Sequence, residues 1–599
     1  MIIASDPITL EIVKNALSSL ADEMALVILR SAYSPIVRDS MDYSTAICDR
    51  NGDIVAQGLT NPIHLGAFPD VMRILVGNHL DQMKPGDAFL VNDPYGGGGM
   101  HLPDIFLIKP LFIDGELEGF AGTLVHHSDI GGLAPGSMGL QATEIFQEGL
   151  RIPIVKLFDG GTINQTTIAF MRANSRTPVE LIGDLSAQIA SVDACERGYA
   201  QLIQKYGSAQ FRQFLGELHD YAERLMRQEI AAMPDGSYEY VDYVDGLGEN
   251  PEPIRFQVRI NISGDSVDVD WTGTSPQVQG AINGPMPTTT SMTYVALRSA
   301  IHADIPNFAG YMRPVRVSAP LGTIVNPTAP AACAARGVIA YRMLDTLFGA
   351  LNKIPGSRIP ALGEGGPSVV SFSGWDNGQA WIITDGILGS WGGRAQKDGV
   401  EGISSPGTNL SNQPIELIEA RMPLRILSYT FAKNSGGAGK YRGGSAMVRS
   451  YEVLASDGLV QVRSDRRDHL PVASGEGLPG SPSYTFLNEG EQTRMLPVMP
   501  MGPIRVSAGS KLVHLAAGGA GHGHPFERDP NAVLDDVLDD RISEEMAREV
   551  YGVLLGEFGR SVDNEGTIAR RSTGVAPALL TEHQQAIFSS TNTPSTLLS

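Results

Sequence analysis

The chain has 599 residues, 42% hydrophobic and 19% charged, the composition of an ordinary globular protein long enough for more than one hydrophobic core. A formal net charge of −21 argues against nucleic-acid partners, which require clustered Lys and Arg. Its three cysteines, Cys48, Cys195 and Cys333, are widely spaced and form no CxxC pair, which argues against a disulfide framework or a thiolate zinc site and points to a reducing compartment.

The N-terminus, MIIASDPITLEIVKNAL, lacks a basic segment followed by a long apolar block, so no signal peptide is expected. No apolar run reaches the roughly eighteen residues of a membrane span, so the cytoplasm is the expected location and no membrane partner is expected. Asp6 and Pro7 read as an N-cap and a first helical residue. Ile8, Ile12, Ala16, Leu20, Met24 and Ile28 then predict one apolar helical stripe running to about Tyr33. Residues 43–58 predict a hairpin about Arg50-Asn51-Gly52-Asp53. Strands and loops are expected from there to about residue 130.

Residues 177–232 form the clearest helical block, opened by Thr177-Pro178-Val179-Glu180, which reads as a capping box. From residue 238 the period changes to two, predicting strands about Ser263-Gly264-Asp265. Residues 285–355 are mixed, with a helix around ARGVIAYRMLDTLFGAL, and 365–520 is rich in short strands and glycine turns. Residues 529–556 return to helix, and the Ser/Thr/Pro-rich stretch past about 570 is expected to lack structure. The expected architecture is α+β and multi-domain, with mixed or antiparallel sheets, flanking helices and glycine-rich loops. The expected divisions are 1–235 with the metal-site region, 236–364 β-rich then mixed, 365–570 glycine-rich β with C-terminal helices, and a disordered tail 571–599.

Five of the twelve histidines, His64, His79, His101, His126 and His127, fall between residues 64 and 127, beside Asp42, Asp93, Asp104 and Asp129. His101-Leu102-Pro103-Asp104 cannot be a regular helical turn because Pro103 interrupts it. It reads as a tight loop at a strand mouth that turns both side chains to one side. His126 and His127 face opposite ways on a strand, so at most one joins His101 and Asp104. Two imidazoles with one or two carboxylates suit zinc, manganese or iron(II) with a position left open for water. The competing reading is an ordinary hydrogen-bonded loop, since Asp-Pro and Gly-Gly pairs are common in turns. NSGGAGKYRGG (434–444) lacks the ending of a phosphate loop and reads as a turn. His522 and His524 lie in another glycine loop, and no G-x-S-x-G elbow is present.

RDSMDYSTAICD (38–49), NPIHLGAFP (61–69), NDPYGGGGMHLPD (92–104), HHSDIGG (126–132), NSRTPVELIGDLSAQIA (174–190), VDWTGTSPQVQGAING (269–284) and TNLSNQPIELIEARMPL (408–424), with the 434–444 turn, give the chain a resemblance over nearly its whole length. It resembles the hydantoinase B/oxoprolinase family: the B-type subunits of ATP-dependent N-methylhydantoinase, 5-oxoprolinase and caprolactamase, and the related subunits of acetone and acetophenone carboxylases. The resemblance implies a divalent metal, zinc foremost with manganese or iron as alternatives, held by Asp42, His101, Asp104 and His126. His101, Asp104 and His126 would be catalytic, and His64 and Asp129 would either orient the ligands or simply be turn residues. The glycines of 96–99 would let backbone and substrate approach the ion.

The family likeness further implies an ATP-binding A-type partner subunit, a hetero-oligomer, and a cyclic-amide substrate phosphorylated by the partner and attacked by metal-activated water. A ketone carboxylase subunit and a non-catalytic scaffold for the A-type subunit are the alternatives. Asn434-Ser435, where relatives carry Asp-Ser, and GGAGHGHP (518–525) depart from the family pattern and bear on the branch rather than on the ligands.

Overall fold

Asp6 accepts the Thr9 N–H at 3.1 Å, and Pro7 opens α1 (Pro7–Ser31). The buried face of α1 is Val13, Leu17, Leu20, Ala21, Met24, Ala25 and Ile28, while Ile8 and Ile12 are exposed. The expected stripe holds in the second half of the helix and fails in the first. A strict four-residue repeat advances about 40° per step around a 3.6-residue helix, so it spirals off one face, and alternating steps of three and four are needed to stay on it. The computed structural model describes residues 5–58, 61–364, 368–376 and 378–598. They pack as two units: Met1–Glu239, Gln257–Ala340 and Gly407–Leu410 in the first, and Tyr240–Phe256, Tyr341–Pro406 and Ser411–Ser599 in the second.

The first unit is built on an antiparallel sheet. After α2 (Pro35–Arg38), β1 (Tyr43–Asp49) and β2 (Ile54–Gln57) form the expected hairpin, with Gly52 at φ +90° in its turn. α3 (Ala67–His79) follows, then β3 (Ala88–Val91), β4 (Asp104–Ile113), β5 (Glu116–His126), β6 (Val155–Asp159) and β7 (Thr162–Ile163). The seven strands lie in the order β2-β1-β5-β4-β3-β6-β7. The period-two alternation of a strand sorts their side chains. Phe106, Ile108 and Leu124 face α3, packing with Phe68, Val71, Met72 and Leu75. Val125 faces the other way, into a cluster with Ala25, Ile28 and Ala187.

That second face is covered by α1 and by the long helices that follow α4 (Gln165–Asn174), namely α5 (Pro178–Tyr206) and α6 (Ser208–Ala231). Gln188 of α5 donates to Ile105 O at 2.9 Å and to Thr123 Oγ1 at 3.1 Å, tying helix to sheet. The expected capping box at Thr177 does not form, because the Thr177 hydroxyl is buried without a hydrogen bond. Pro178 still starts the helix, its fixed φ suiting the first turn. β8 (Gly236–Val244) and β9 (Ile254–Ser263) carry the chain to the second unit and back. β9 pairs with β10 (Ser266–Asp270) about Gly264, as its period predicted, and after α7 (Met286–Ala300), β11 (Val315–Ser318) joins β10 in parallel.

The second unit contains a four-stranded and a five-stranded sheet, the latter with its strands antiparallel. Its glycine loops pack on each other: Gly437 N–H donates to Gly519 O at 2.8 Å, and Tyr441 N–H to His522 O at 3.0 Å. A Cβ on Gly518 would sit 2.0 Å from Ser435 O, so glycine here allows two backbones to touch. Past residue 570, where composition pointed to disorder, helices Pro577–Thr591 and Pro594–Leu598 form instead, and Leu580, Ile587 and Phe588 are buried. These apolar residues at helical spacing outweigh the polar average of the segment. The α+β, multi-domain architecture holds, and among the described residues no helix is long and apolar enough to cross a membrane.

Candidate metal centre

Three adjacent strands of the first unit end together. Asp104 opens β4 and His126 closes β5, and register places the two directly opposite each other. Tyr43 of β1 pairs with Val125, and the ladder continues one step further, with the His126 N–H donating to Asp42 O at 3.1 Å. His101 reaches the same point through the His101-Leu102-Pro103-Asp104 turn, closed by Asp104 N–H to His101 O at 3.2 Å. Asn92 buckles this turn in place, donating to Leu102 O at 2.7 Å and to Leu150 O at 3.0 Å.

Asp104 is the hub. Its Oδ1 accepts from His126 Nδ1 at 3.2 Å, and its Oδ2 lies 3.1 Å from His101 Nε2 and 3.7 Å from His64 Nε2. Arg336, just before α8 (Gly337–Leu351), donates its guanidinium to the same Oδ2. His101 Nδ1 donates to Ala334 O at 2.6 Å, a carbonyl that can only accept, so the Nε2 of a neutral His101 carries the lone pair. That Nε2 is buried and makes no hydrogen bond among the described residues, although a carboxylate oxygen stands 3.1 Å away. Two ligand atoms aimed at a common point, rather than at each other, stand in this way. The ligand atoms of His101, Asp104 and His126 all lie within 4.8 Å of one another.

Asp42 adjoins this trio: its Oδ2 is 3.9 Å from His126 Nδ1, and its Oδ1 accepts from Asn61 Nδ2 at 2.9 Å. His64 is anchored through Nδ1 to the Ser44 hydroxyl at 2.8 Å and faces Asp104 from the short 3-10 turn Pro62–His64 before α3. Asp129 does not reach the cluster. Its carboxylate accepts from the N–H groups of Gly131, Gly136 and Arg176 and from the Arg176 guanidinium, which builds its own loop. His127 points away from the cluster, with Nε2 3.3 Å from Gln188 Oε1 of α5, as strand alternation requires. Asp93 binds Tyr95 N–H and Arg151, and His79 lies against Phe89. His522 and His524 belong to the second unit.

The glycine run has a packing role. Gly98 has φ +79°, and a Cβ on it would meet Val71 N at 2.8 Å, while one on Gly99 would meet Asn92 O at 2.6 Å. The run lets the loop fold against α3 and its own strand, so its glycines answer to the close packing of one backbone on another. Sequence reading missed Arg336, Asn92, Asn61 and the Ala334 carbonyl. Arg336 sat inside a segment legible only as helix core, and a backbone carbonyl leaves no mark in composition.

Burial works against every charge at this strand end. It lowers His101 to about 4 and His64 to about 3, so both are neutral bases at neutral pH. Burial also raises Asp42. For Asp104 burial is outweighed by the neighbouring His101 and Arg336, which hold its carboxyl well below the usual range. For His126 burial is outweighed by the bond to Asp104 and the nearby Asp42, and its pKa is raised. A neutral His101 whose buried Nε2 is orphaned, beside an ionised Asp104, offers the donor atoms that a divalent ion takes.

A family model described as hydantoinase B/oxoprolinase matches residues 6–525. The B-type subunit of a candidate D-/L-hydantoinase from Pseudomonas sp. (strain NS671) is 34% identical over 579 residues, 94% of this chain and 97% of that one. The caprolactamase beta chain of Pseudomonas jessenii is 30% identical over 585 residues, 95% of this chain and 99% of that one. The crystal structure of the ATP-dependent caprolactamase from Pseudomonas jessenii matches with a TM-score of 0.88 at 28% identity, over 95% of this chain and 100% of that one. A nucleotide-free acetone carboxylase shares the fold, with a TM-score of 0.87 at 20% identity over 95% of this chain and 83% of that one.

Proposed function

The chain belongs to the hydantoinase B/oxoprolinase family, and from that premise we propose that it is the B-type subunit of an ATP-dependent hydrolase that opens cyclic amides, working with an ATP-binding A-type partner. The observation that carries this reading is the strand-end cluster of His101, Asp104 and His126, with the buried His101 Nε2 left free of any hydrogen bond. These three residues, with Asp42 adjoining, would hold a divalent ion, zinc foremost. Such an ion supplies Lewis acidity toward a carbonyl or phosphoryl oxygen and lowers the pKa of water.

The chain's own residues do the rest. Ala334 O fixes the His101 tautomer, and Asp104 holds a proton at His126 Nδ1. His64 and Arg336 crowd the same oxygen of Asp104, and the charge of Arg336 helps keep it ionised. Arg336 also puts a fixed positive charge where an anionic, phosphorylated substrate would need one. ATP bound on the partner is supported by the 434–444 turn, whose Gly437, Tyr441, Gly443 and Gly444 N–H groups are already taken by carbonyls. Phosphorylation of the amide oxygen by the partner would turn a poor electrophile into one with a phosphate leaving group. Addition of water at that carbon and departure of the ring nitrogen as an amine would open the ring to an acyl phosphate, and a second water would then release phosphate and leave the carboxylate.

The test is co-expression with an A-type partner and assay on hydantoin, 5-oxoproline and caprolactam with ATP. Ring opening coupled to ATP hydrolysis and indifferent to bicarbonate is expected. Turnover only with a ketone and bicarbonate would replace this reading with a carboxylase.

A further inference from the structure

The β1–β2 hairpin was legible in the sequence from its turn, Arg50-Asn51-Gly52-Asp53, and the chemistry of the strand-end cluster does not use it. Asp49 ends β1 about 23 Å from Asp42, seven residues of extended chain away. Asp49 folds the turn with one oxygen: Oδ1 accepts Asn51 N–H at 2.8 Å and Asp53 N–H at 3.0 Å. Its Oδ2 takes the Asn51 side chain at 3.2 Å and faces His219 Nε2 at 3.8 Å.

His219 of α6 is 4% exposed, and neither of its ring nitrogens has a hydrogen-bond partner among the described residues. Its ring is held edge-on by Phe308 at 5.5 Å. A bare ion pair does not account for this geometry, because 3.8 Å is too long for a hydrogen bond, and an imidazole buried with both nitrogens unsatisfied is costly. The ligand atoms of Asp49, Asp53 and His219 lie within 4.8 Å of one another, and Asp53 is exposed, leaving the group open to solvent on one side.

We propose that Asp49, Asp53 and His219 form a second divalent-cation site, separate from the strand-end cluster, that clips the β1–β2 hairpin to α6. One imidazole nitrogen and two carboxylates suit zinc or manganese better than calcium or magnesium, which favour all-oxygen shells. The Asp53 side chain completes the set from the solvent side, so water fills the remaining positions. The site goes beyond the proposed hydrolase reading and does not depend on it.

The test uses the full-length chain, stripped by chelator and titrated with zinc alone, in wild type and in Asp53→Asn. The substitution removes one ligand charge at an exposed position and keeps the turn backbone, so matched circular dichroism is expected. The ion count should fall by one per chain, or one Kd should weaken by more than about tenfold, since losing even an outer partner costs a metal site that much. The zinc-induced rise in Tm should shrink with it. The strand-end cluster is intact in both proteins, so it contributes equally to both. Identical stoichiometry and affinity in the two, whether both bind zinc or neither does, would overturn the proposal.

Discussion

At the scale of the residue, Glu148 shows how the strand-end cluster is braced from behind. Its Oε1 accepts Cys333 N–H at 2.6 Å and Ala334 N–H at 2.7 Å, and Ala334 O in turn holds His101. Burial raises the Glu148 carboxyl from an ordinary 4.5 to about 8, against those two N–H groups. The folded protein therefore keeps a proton that the unfolded chain has released above about 4.5, so this residue's contribution to stability is full at low pH and is lost as pH rises toward 8. Glu148→Gln keeps the acceptor and removes the titration. Its Tm should gain on wild type steadily between about pH 5 and pH 8, and parallel Tm profiles would show that Glu148 does not titrate there. Residues of this kind were closed to sequence reading. The clustering of histidines was visible, and so was the rule that only one of His126 and His127 points inward, because both follow from spacing. Glu148, Asn92 and Arg336 act across long stretches of chain, which spacing does not record.

At the scale of the element, most helices and hairpins were legible because apolar period and turn residues agree in them, as in α5, α6 and the hairpin at Gly264. The readings that failed did so where one local signal was taken alone: the four-residue repeat of α1, the Thr177 box and the polar average past residue 570. The glycines of the loop after β3 and of α3 make opposite predictions. Gly98→Ala places a Cβ 2.8 Å from Val71 N at φ +79°, so it should lower stability by about 1–3 kcal/mol or more. Gly77 lies in α3 with nothing within 4 Å of its would-be Cβ, so Gly77→Ala should raise stability by about 0.5–1 kcal/mol. Chemical denaturation of both variants checks the pair. A neutral Gly98→Ala would mean that the loop is not packed against α3 as described.

At the scale of the whole molecule, membership in the hydantoinase B/oxoprolinase family was legible because its motifs recur in one order along nearly the entire chain. What no linear reading supplied is the topology that brings those motifs together. Residues 101, 104 and 126 come together, with Asp42 adjoining, because β1, β5 and β4 are neighbours in the order β2-β1-β5-β4-β3-β6-β7. The proposed chemistry rests on that meeting point holding an ion. The most direct measurement is the number of metal ions per chain by elemental analysis, comparing wild type with His101→Ala at matched circular dichroism. The account predicts one ion fewer per chain in the variant. Equal metal content in the two proteins would contradict it and leave the strand-end cluster as a hydrogen-bonded turn.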